Sequence, residues 1–351
     1  MEYGHGGDWY TYQGILDFSA NINPLGTPEE VREAAVLALE RMERYPDSRC
    51  RKLMQELSGY LGVGQEKILF GNGAADLIYT LVFAEKPKRA VVAVPTFTEY
   101  AQALKASGCE IVSYHLQKAG QFALEEDYLD LLTEDTDMIF LCSPNNPTGQ
   151  TIPKELLEQI LKRCVRYHIR MVVDECFYDF LEKPDSATMQ PFVCAPGYPQ
   201  LVIVRAFTKL YAMPGLRLGY LLCSDTRLLE RMQRARQPWS VSQAAQEAGI
   251  AALQVERKQG WSVRTREYVA AERERMETEL HRLGIVFWPS AVNYLLLWSE
   301  MDLFQLLLAR GILIRDCANY EGLEKGYYRI AVRTKEENMR LLAELENIRC
   351  R

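Results

Sequence analysis

From about residue 67 the chain alternates short apolar runs with longer stretches of helical periodicity. The runs Lys67–Phe70, Ala90–Val94, Glu110–Tyr114, Met138–Cys142, Met171–Val173, Leu201–Val204 and Leu218–Cys223 read as strands. Between them Ala74–Ala84, Thr98–Ala106, Lys154–Tyr167 and Asp225–Arg236 read as helices. Strands that are apolar throughout, rather than at alternate positions, belong to a sheet covered on both faces. The alternation predicts an α/β fold with a mainly parallel seven-stranded sheet. A long charged helical stretch, Val241 to Leu283, then leads away from it. Beyond lie strand-like Ile285–Trp288, Tyr294–Trp298, Ile312–Arg315 and Tyr327–Val332, with helices near Leu303–Ala309 and Lys335–Ile348. This is the pattern of a smaller α+β domain. The predicted division is 45–245 for the large domain, and 1–44 with 246–351 for the small domain and its connecting helix.

Composition adds mostly exclusions. The 351 residues suggest about two domains, and 48% hydrophobic with 25% charged residues is ordinary for a globular enzyme. A formal net charge of −6 argues against nucleic acid or an acidic membrane as main partner. No apolar run approaches the ~20 residues of a membrane span. The stretch Met1–Asp8 lacks the basic and apolar parts of a secretory signal, so a cytoplasmic location is expected. Nine cysteines without a C-x-x-C pair or a His/Cys cluster suggest neither a disulfide framework nor a metal site.

Chemistry concentrates where strands end. Lys209 lies just past the run Leu201–Val204, where α/β sheets place their ligands, and Arg217 opens the run Leu218–Cys223. An amine and a guanidinium at one strand-end crevice suit a cofactor with both an aldehyde and a phosphate. Pyridoxal 5'-phosphate fits: the lysine can condense with the aldehyde and the arginine can grip the phosphate. Asp174 follows Met171–Val173 and can pair with a pyridinium N–H. Asn146, in the rigid turn Ser143-Pro144-Asn145-Asn146-Pro147-Thr148-Gly149, is placed to bond a ring oxygen. In Gly71-Asn72-Gly73-Ala74-Ala75-Asp76, the small residues Gly73 and Ala74 let backbone N–H groups at a helix N-terminus approach a phosphate, and Thr208 can add a hydroxyl. Phe97 is a candidate to stack on the ring. Arg315 and Arg329, at the end of one predicted strand and on another, suit a doubly anionic substrate. Arg333 shares a face with Arg329 but lies ~13 Å along the strand, too far to clamp the same small group. His5 can add a further donor.

The order of these elements resembles the fold-type I, aspartate-aminotransferase-like family of pyridoxal-phosphate enzymes over nearly the whole chain. Arg44-Tyr45-Pro46-Asp47 is similar to a stretch of its histidinol-phosphate aminotransferase branch. That resemblance implies a homodimer with shared active sites, Tyr45 reaching the neighbouring subunit's cofactor phosphate. Closer resemblance is to the branch that decarboxylates L-threonine O-3-phosphate in cobalamin synthesis. It is carried by His5-Gly6-Gly7, the stretch Leu16 to Gly26, Gln237-Pro238-Trp239-Ser240-Val241, the stretch Ile312 to Tyr320 and the stretch Tyr327 to Arg333. It implies substrate contacts from His5, Asn23, Arg315 and Arg329. Where aminotransferases usually carry tyrosine three residues after the strand-end aspartate, this chain has Phe177, with Tyr178 beside it as a cofactor-binding candidate. Ala206 stands where a hydroxyl residue is common, which removes one phosphate contact.

Three functions therefore compete: decarboxylation of L-threonine O-3-phosphate, transamination with histidinol phosphate as the obvious substrate, and non-catalytic cofactor binding in a regulator. The last needs an attached DNA-binding domain or a lost lysine, and neither is present.

Overall fold

A computed structural model describes residues 4–349. Its strands are β1 (Leu16–Asp17), β2 (Ile68–Asn72), β3 (Arg89–Val94), β4 (Glu110–His115), β5 (Met138–Cys142), β6 (Arg170–Asp174), β7 (Leu201–Ala206), β8 (Leu218–Cys223), β9 (Val286–Trp288), β10 (Tyr294–Trp298), β11 (Ile312–Leu313), β12 (Arg315–Asp316) and β13 (Tyr327–Ala331). Strands β2 to β8 form one seven-stranded sheet in the order β2-β8-β7-β6-β5-β3-β4. Its inner strands are buried along their whole length, β5, β7 and β8 without exception, which is why their sequences are apolar throughout.

The sheet is mixed. β8 runs antiparallel to both of its neighbours, β2 and β7, while the other pairings are parallel. Its start therefore lies at the same edge as the carboxyl ends of β2, β5, β6 and β7. In register, Asn72 faces Leu218, Asp174 faces Cys142, and Ala206 faces Gly219. The residues singled out at the strand ends of this sheet are thereby drawn to one edge.

Two glycines make that edge possible. A Cβ on Gly219 would stand 2.6 Å from the backbone of Gly73 and Ala74, so only glycine lets the helix Gly73–Glu85 start against β8. Gly73 itself has φ +81°, and a Cβ there would meet the Arg217 guanidinium at 2.4 Å.

The second sheet is antiparallel, in the order β12-β13-β10-β9. The predicted strand Ile312–Arg315 is in fact two. β11 pairs with β1, whereas β12 pairs with β13. The break arises because the chain after β1 inserts between them: Phe18 N donates to Leu313 O at 2.7 Å and Phe18 O accepts from Ala331 N at 2.8 Å. The predicted helical stretch Val241–Leu283 is also two helices, Gln243–Gln259 and Trp261–Arg282. Gly260 stops the first in a left-handed conformation (φ +57°), its N–H donating to Glu256 O at 2.9 Å.

Among the described residues, eight cysteines are free and no group of side chains could hold a metal. Cys350 and the segment Met1–Tyr3 lie outside those residues. No described helix is long and apolar enough to cross a membrane.

Candidate active site

The strand-end edge and the rim of the second sheet enclose a cleft of about 460 Å³. β7 ends at Ala206, and the single helical turn Phe207–Leu210 carries Thr208 and Lys209 into the cleft. Desolvation of the Lys209 amine, helped by the nearby Arg329 guanidinium, pulls its pKa down to about 8. Its ammonium nitrogen lies 5.7 Å from the centre of the Phe177 ring.

Asp174, the last residue of β6, is buried in the cleft wall. The Tyr100 hydroxyl donates to one carboxylate oxygen at 2.7 Å, and the Cys176 N–H donates to the other at 2.9 Å. Burial still outweighs these donors and pushes the carboxyl's pKa up. A cation or N–H donor in front of it would relieve that penalty. Tyr100 stacks on Phe140 (5.0 Å) and meets Phe97 edge-on (5.6 Å), so the ring of Phe97 at the cleft has an aromatic support.

The turn after β5 divides its work between adjacent asparagines. Asn145 is structural: its side chain bonds Thr96, Pro95 O and Thr148. Asn146 turns into the cleft, where its carbonyl oxygen accepts from Arg329. At the opposite wall, Arg217 adopts a left-handed backbone (φ 58°) as the chain enters β8, and its guanidinium lies against Gly73 beside Ala74.

Arg315 and Arg329 are direct cross-strand partners on β12 and β13. Both are buried and both line the cleft. Arg315 donates to Asp316 O and Asn319 Oδ1, each at 2.7 Å, and lies over the Tyr320 ring. Arg329 donates to Ser19 O at 2.7 Å, while its Nε is buried with no protein partner. Asn21 Oδ1, also in the cleft, is likewise buried and unpartnered. Orphan donors and acceptors of this kind fit a polar, anionic occupant. Arg333 points elsewhere, to Glu337 and Asp17 O.

The structure thus brings Ala74, Phe97, Asn146, Asp174, Thr208, Lys209, Arg217, His5, Arg315 and Arg329 to one cleft, with Gly73 directly behind Arg217. It does not bring in three others. Tyr178 is turned to the far side of β7, where its ring lies 3.8 Å from the Arg205 guanidinium, and Phe177 takes the cleft position. Asn23 is buried in the framework. Its amide donates to Leu210 O at 2.6 Å and Thr265 Oγ1 at 2.8 Å, tying the N-terminal segment to the turn that holds Lys209. Tyr45 lies outside the cleft, 78% exposed and stacked on Trp239. Sequence reasoning missed Asn21, Ser19, Tyr320 and Glu99. Asn21 lies within the stretch Leu16–Gly26 and could have been found there, whereas Glu99 has significance only through His5, far away in the chain.

Comparison with known proteins gives consistent matches. The family described as aminotransferase class I and II matches over residues 13–345. The threonine-phosphate decarboxylase of Salmonella typhimurium is 43% identical, over 95% of this chain and 91% of its own. A histidinol-phosphate aminotransferase of Geobacillus thermodenitrificans is 33% identical over 97% and 91%. Among solved structures, the L-threonine-O-3-phosphate decarboxylase from Porphyromonas gingivalis superposes with a TM-score of 0.85 at 25% identity, covering 96% of this chain and all of that one. The histidinol-phosphate aminotransferase from Clostridium acetobutylicum gives a TM-score of 0.88 at 27% identity, with 96% and 99% covered.

Proposed function

The chain belongs to the aminotransferase class I and II family, and on that premise we propose that it decarboxylates L-threonine O-3-phosphate to (R)-1-amino-2-propanol O-2-phosphate, a step of cobalamin synthesis, in the cytoplasm. The observation that carries the reading is the similarity at 43% identity to a threonine-phosphate decarboxylase. It is supported by a cleft whose substrate side holds two cross-strand arginines.

The cofactor is pyridoxal 5'-phosphate, and the residues present fit it. Lys209 would hold its aldehyde carbon, Asp174 its ring nitrogen, and Asn146 its ring oxygen. Phe97 would cover the ring face, while Arg217, Thr208 and the backbone at Gly73 and Ala74 would hold its phosphate. When bound, it supplies a conjugated sink for the electrons of a bond broken at the substrate's Cα.

The protein then decides which bond breaks. With Arg315 and Arg329 both bound to the substrate phosphate, no arginine would hold the substrate carboxylate, which would leave the bond from Cα to that carboxylate free to break. Cleavage of that bond would release carbon dioxide and leave Cα to take up a proton. The Lys209 amine, with its pKa about 8, can carry that proton near neutral pH. Phe177 presents no hydroxyl at the position where most aminotransferases have one.

Transamination is the alternative, favoured by the histidinol-phosphate aminotransferases among its relatives. It would have Arg329 hold the substrate carboxylate, so that the Cα proton is removed instead. The two readings separate in one measurement. The holoenzyme with threonine phosphate should release carbon dioxide without any keto acid. Conversion of the cofactor to its amine form by histidinol phosphate, with no carbon dioxide from threonine phosphate, would establish the aminotransferase.

The proposal extends to the assembly and its parts. Residues 45–245 would form the cofactor-binding domain, with 1–44 and 246–351 as the smaller one. A homodimer would bring Tyr45 to the partner's cofactor phosphate, in keeping with the outward-facing apolar side chains of Val36, Leu37, Leu39 and Met42 close by in sequence.

A further inference from the structure

Among the described residues the cleft wall holds two carboxylates, Asp174 and Glu99, against Lys209, Arg217, Arg315 and Arg329. Asp174 has a partner in the ring nitrogen proposed above. No cofactor atom is assigned to Glu99, and a carboxylate facing an anionic substrate weakens its binding unless its charge is engaged elsewhere. A glutamate in the first turn of a helix, here Glu99–Ala106, ordinarily complements the helix dipole. Yet both of its oxygens are engaged by side chains from elsewhere in the chain. Oε1 lies 3.1 Å from His5 Nε2, and Oε2 accepts from the Tyr79 hydroxyl at 3.1 Å. The hydrogen bond from His5 is the main influence on the Glu99 carboxyl, whose pKa is lowered.

His5 belongs to a short segment laid across the cleft mouth. Gly7 N donates to Ser19 Oγ at 2.7 Å, and Asn319 Nδ2 donates to Gly4 O at 3.3 Å. The same Asn319 accepts from Arg315. Glu99 fastens the segment at its one imidazole. With Nε2 committed to the carboxylate, Nδ1 is the ring atom left to meet a ligand.

We propose that Glu99 is a positioning residue for phosphate recognition: it fixes His5 at the cleft mouth so that the imidazole, together with Arg315, meets the substrate's phosphate group. This rests on the reading that the substrate is a phosphorylated amino acid. It turns the carboxylate from an obstacle into a source of selectivity, since its charge is spent on His5 rather than on the substrate.

The test uses the holoenzyme and four variants: Glu99→Ala, Glu99→Gln, His5→Ala and the double His5→Ala/Glu99→Ala. Steady-state kinetics with threonine phosphate are measured beside the dissociation constant of inorganic phosphate by calorimetry. Glu99→Ala and His5→Ala should each raise the threonine-phosphate KM and the phosphate dissociation constant by about tenfold, the size of one lost charge-assisted hydrogen bond, with kcat little changed. The double variant should be no worse than either single one, because the two residues act as a unit. Glu99→Gln keeps an acceptor oxygen and should recover most of the loss. Tighter phosphate binding by Glu99→Ala would overturn the proposal, showing simple repulsion. Multiplying effects in the double variant, or an equal KM change with unphosphorylated threonine, would overturn it too. If the parent protein releases no carbon dioxide from threonine phosphate, the functional reading fails, and the calorimetric comparison still decides the role of Glu99.

Discussion

Lys209 sits one helical turn past β7, where desolvation favours its neutral amine. Since only the unprotonated amine attacks an aldehyde, cofactor capture by the cofactor-free protein should accelerate with pH. With a pKa about 8, the neutral fraction climbs from about a tenth at pH 7 to about nine tenths at pH 9. Stopped-flow absorbance would follow this, and borohydride should fix the cofactor to Lys209; a flat pH profile would contradict the assignment. Behind Asp174, Tyr100 supplies one of the donors that make a buried carboxylate tolerable. Tyr100→Phe should cost the cofactor-free protein ~1.5–3 kcal/mol in denaturant unfolding, the value of a hydrogen bond to a charged group. Asp174→Asn should slow turnover far more than it weakens cofactor binding. At this scale the sequence showed residue types at strand ends but not the direction of each side chain. Phe177 and Tyr178 are neighbours, yet Phe177 lines the cleft and Tyr178 packs on Arg205; Asn23 was chosen from the sequence where packing commits it to Thr265 and leaves Asn21 in the cleft.

The elements were legible where burial alone dictates pattern. Continuous apolar runs mark β5 and β8 at their observed limits, because nothing but a two-sided core produces them. They were not legible where a distant partner sets the boundary. Nothing local in Ile312–Arg315 says that the chain changes sheets there; the cause is Phe18. Nor did the apolar pattern reveal that β8 runs against its neighbours, although this is what brings Arg217 beside Gly73. The close approach of β8 to the start of the helix Gly73–Glu85 can be tested directly. Gly219→Ala would force a methyl against the backbone of Gly73 and Ala74. The strain should cost ~1–3 kcal/mol of stability. It should also weaken pyridoxal-phosphate affinity by at least about tenfold through the displaced turn, as read by fluorescence titration. Unchanged affinity would mean that the turn does not hold the phosphate.

For the whole molecule, the proposed homodimer would account for the exposed stack of Tyr45 on Trp239. If Tyr45 serves the partner's site, mixing inactive Tyr45→Phe and Lys209→Ala proteins should restore part of the activity, one intact site per hybrid. Verified subunit exchange with no recovery would rule out a shared site. The seven-stranded sheet also bears on stability across pH. Asp174, with its carboxyl pushed up by burial, binds its proton more tightly folded than unfolded. Its ionisation therefore lowers stability as pH rises above the ordinary carboxylate range, and cofactor binding should return that loss.

The insertion of Phe18 between β11 and β13 has a consequence for how the protein is made. A ribosome delivers residues 16–19 long before their partners Leu313, Arg329 and Ala331. The strands of the large sheet, all within residues 68–223, can pair while synthesis is still under way. Residues 16–19 must wait, unpaired, until β11 and β13 have been made. The wall that carries Arg315 and Arg329 is thus completed after the large sheet, and a nascent chain released short of β13 would carry Lys209 without Arg329.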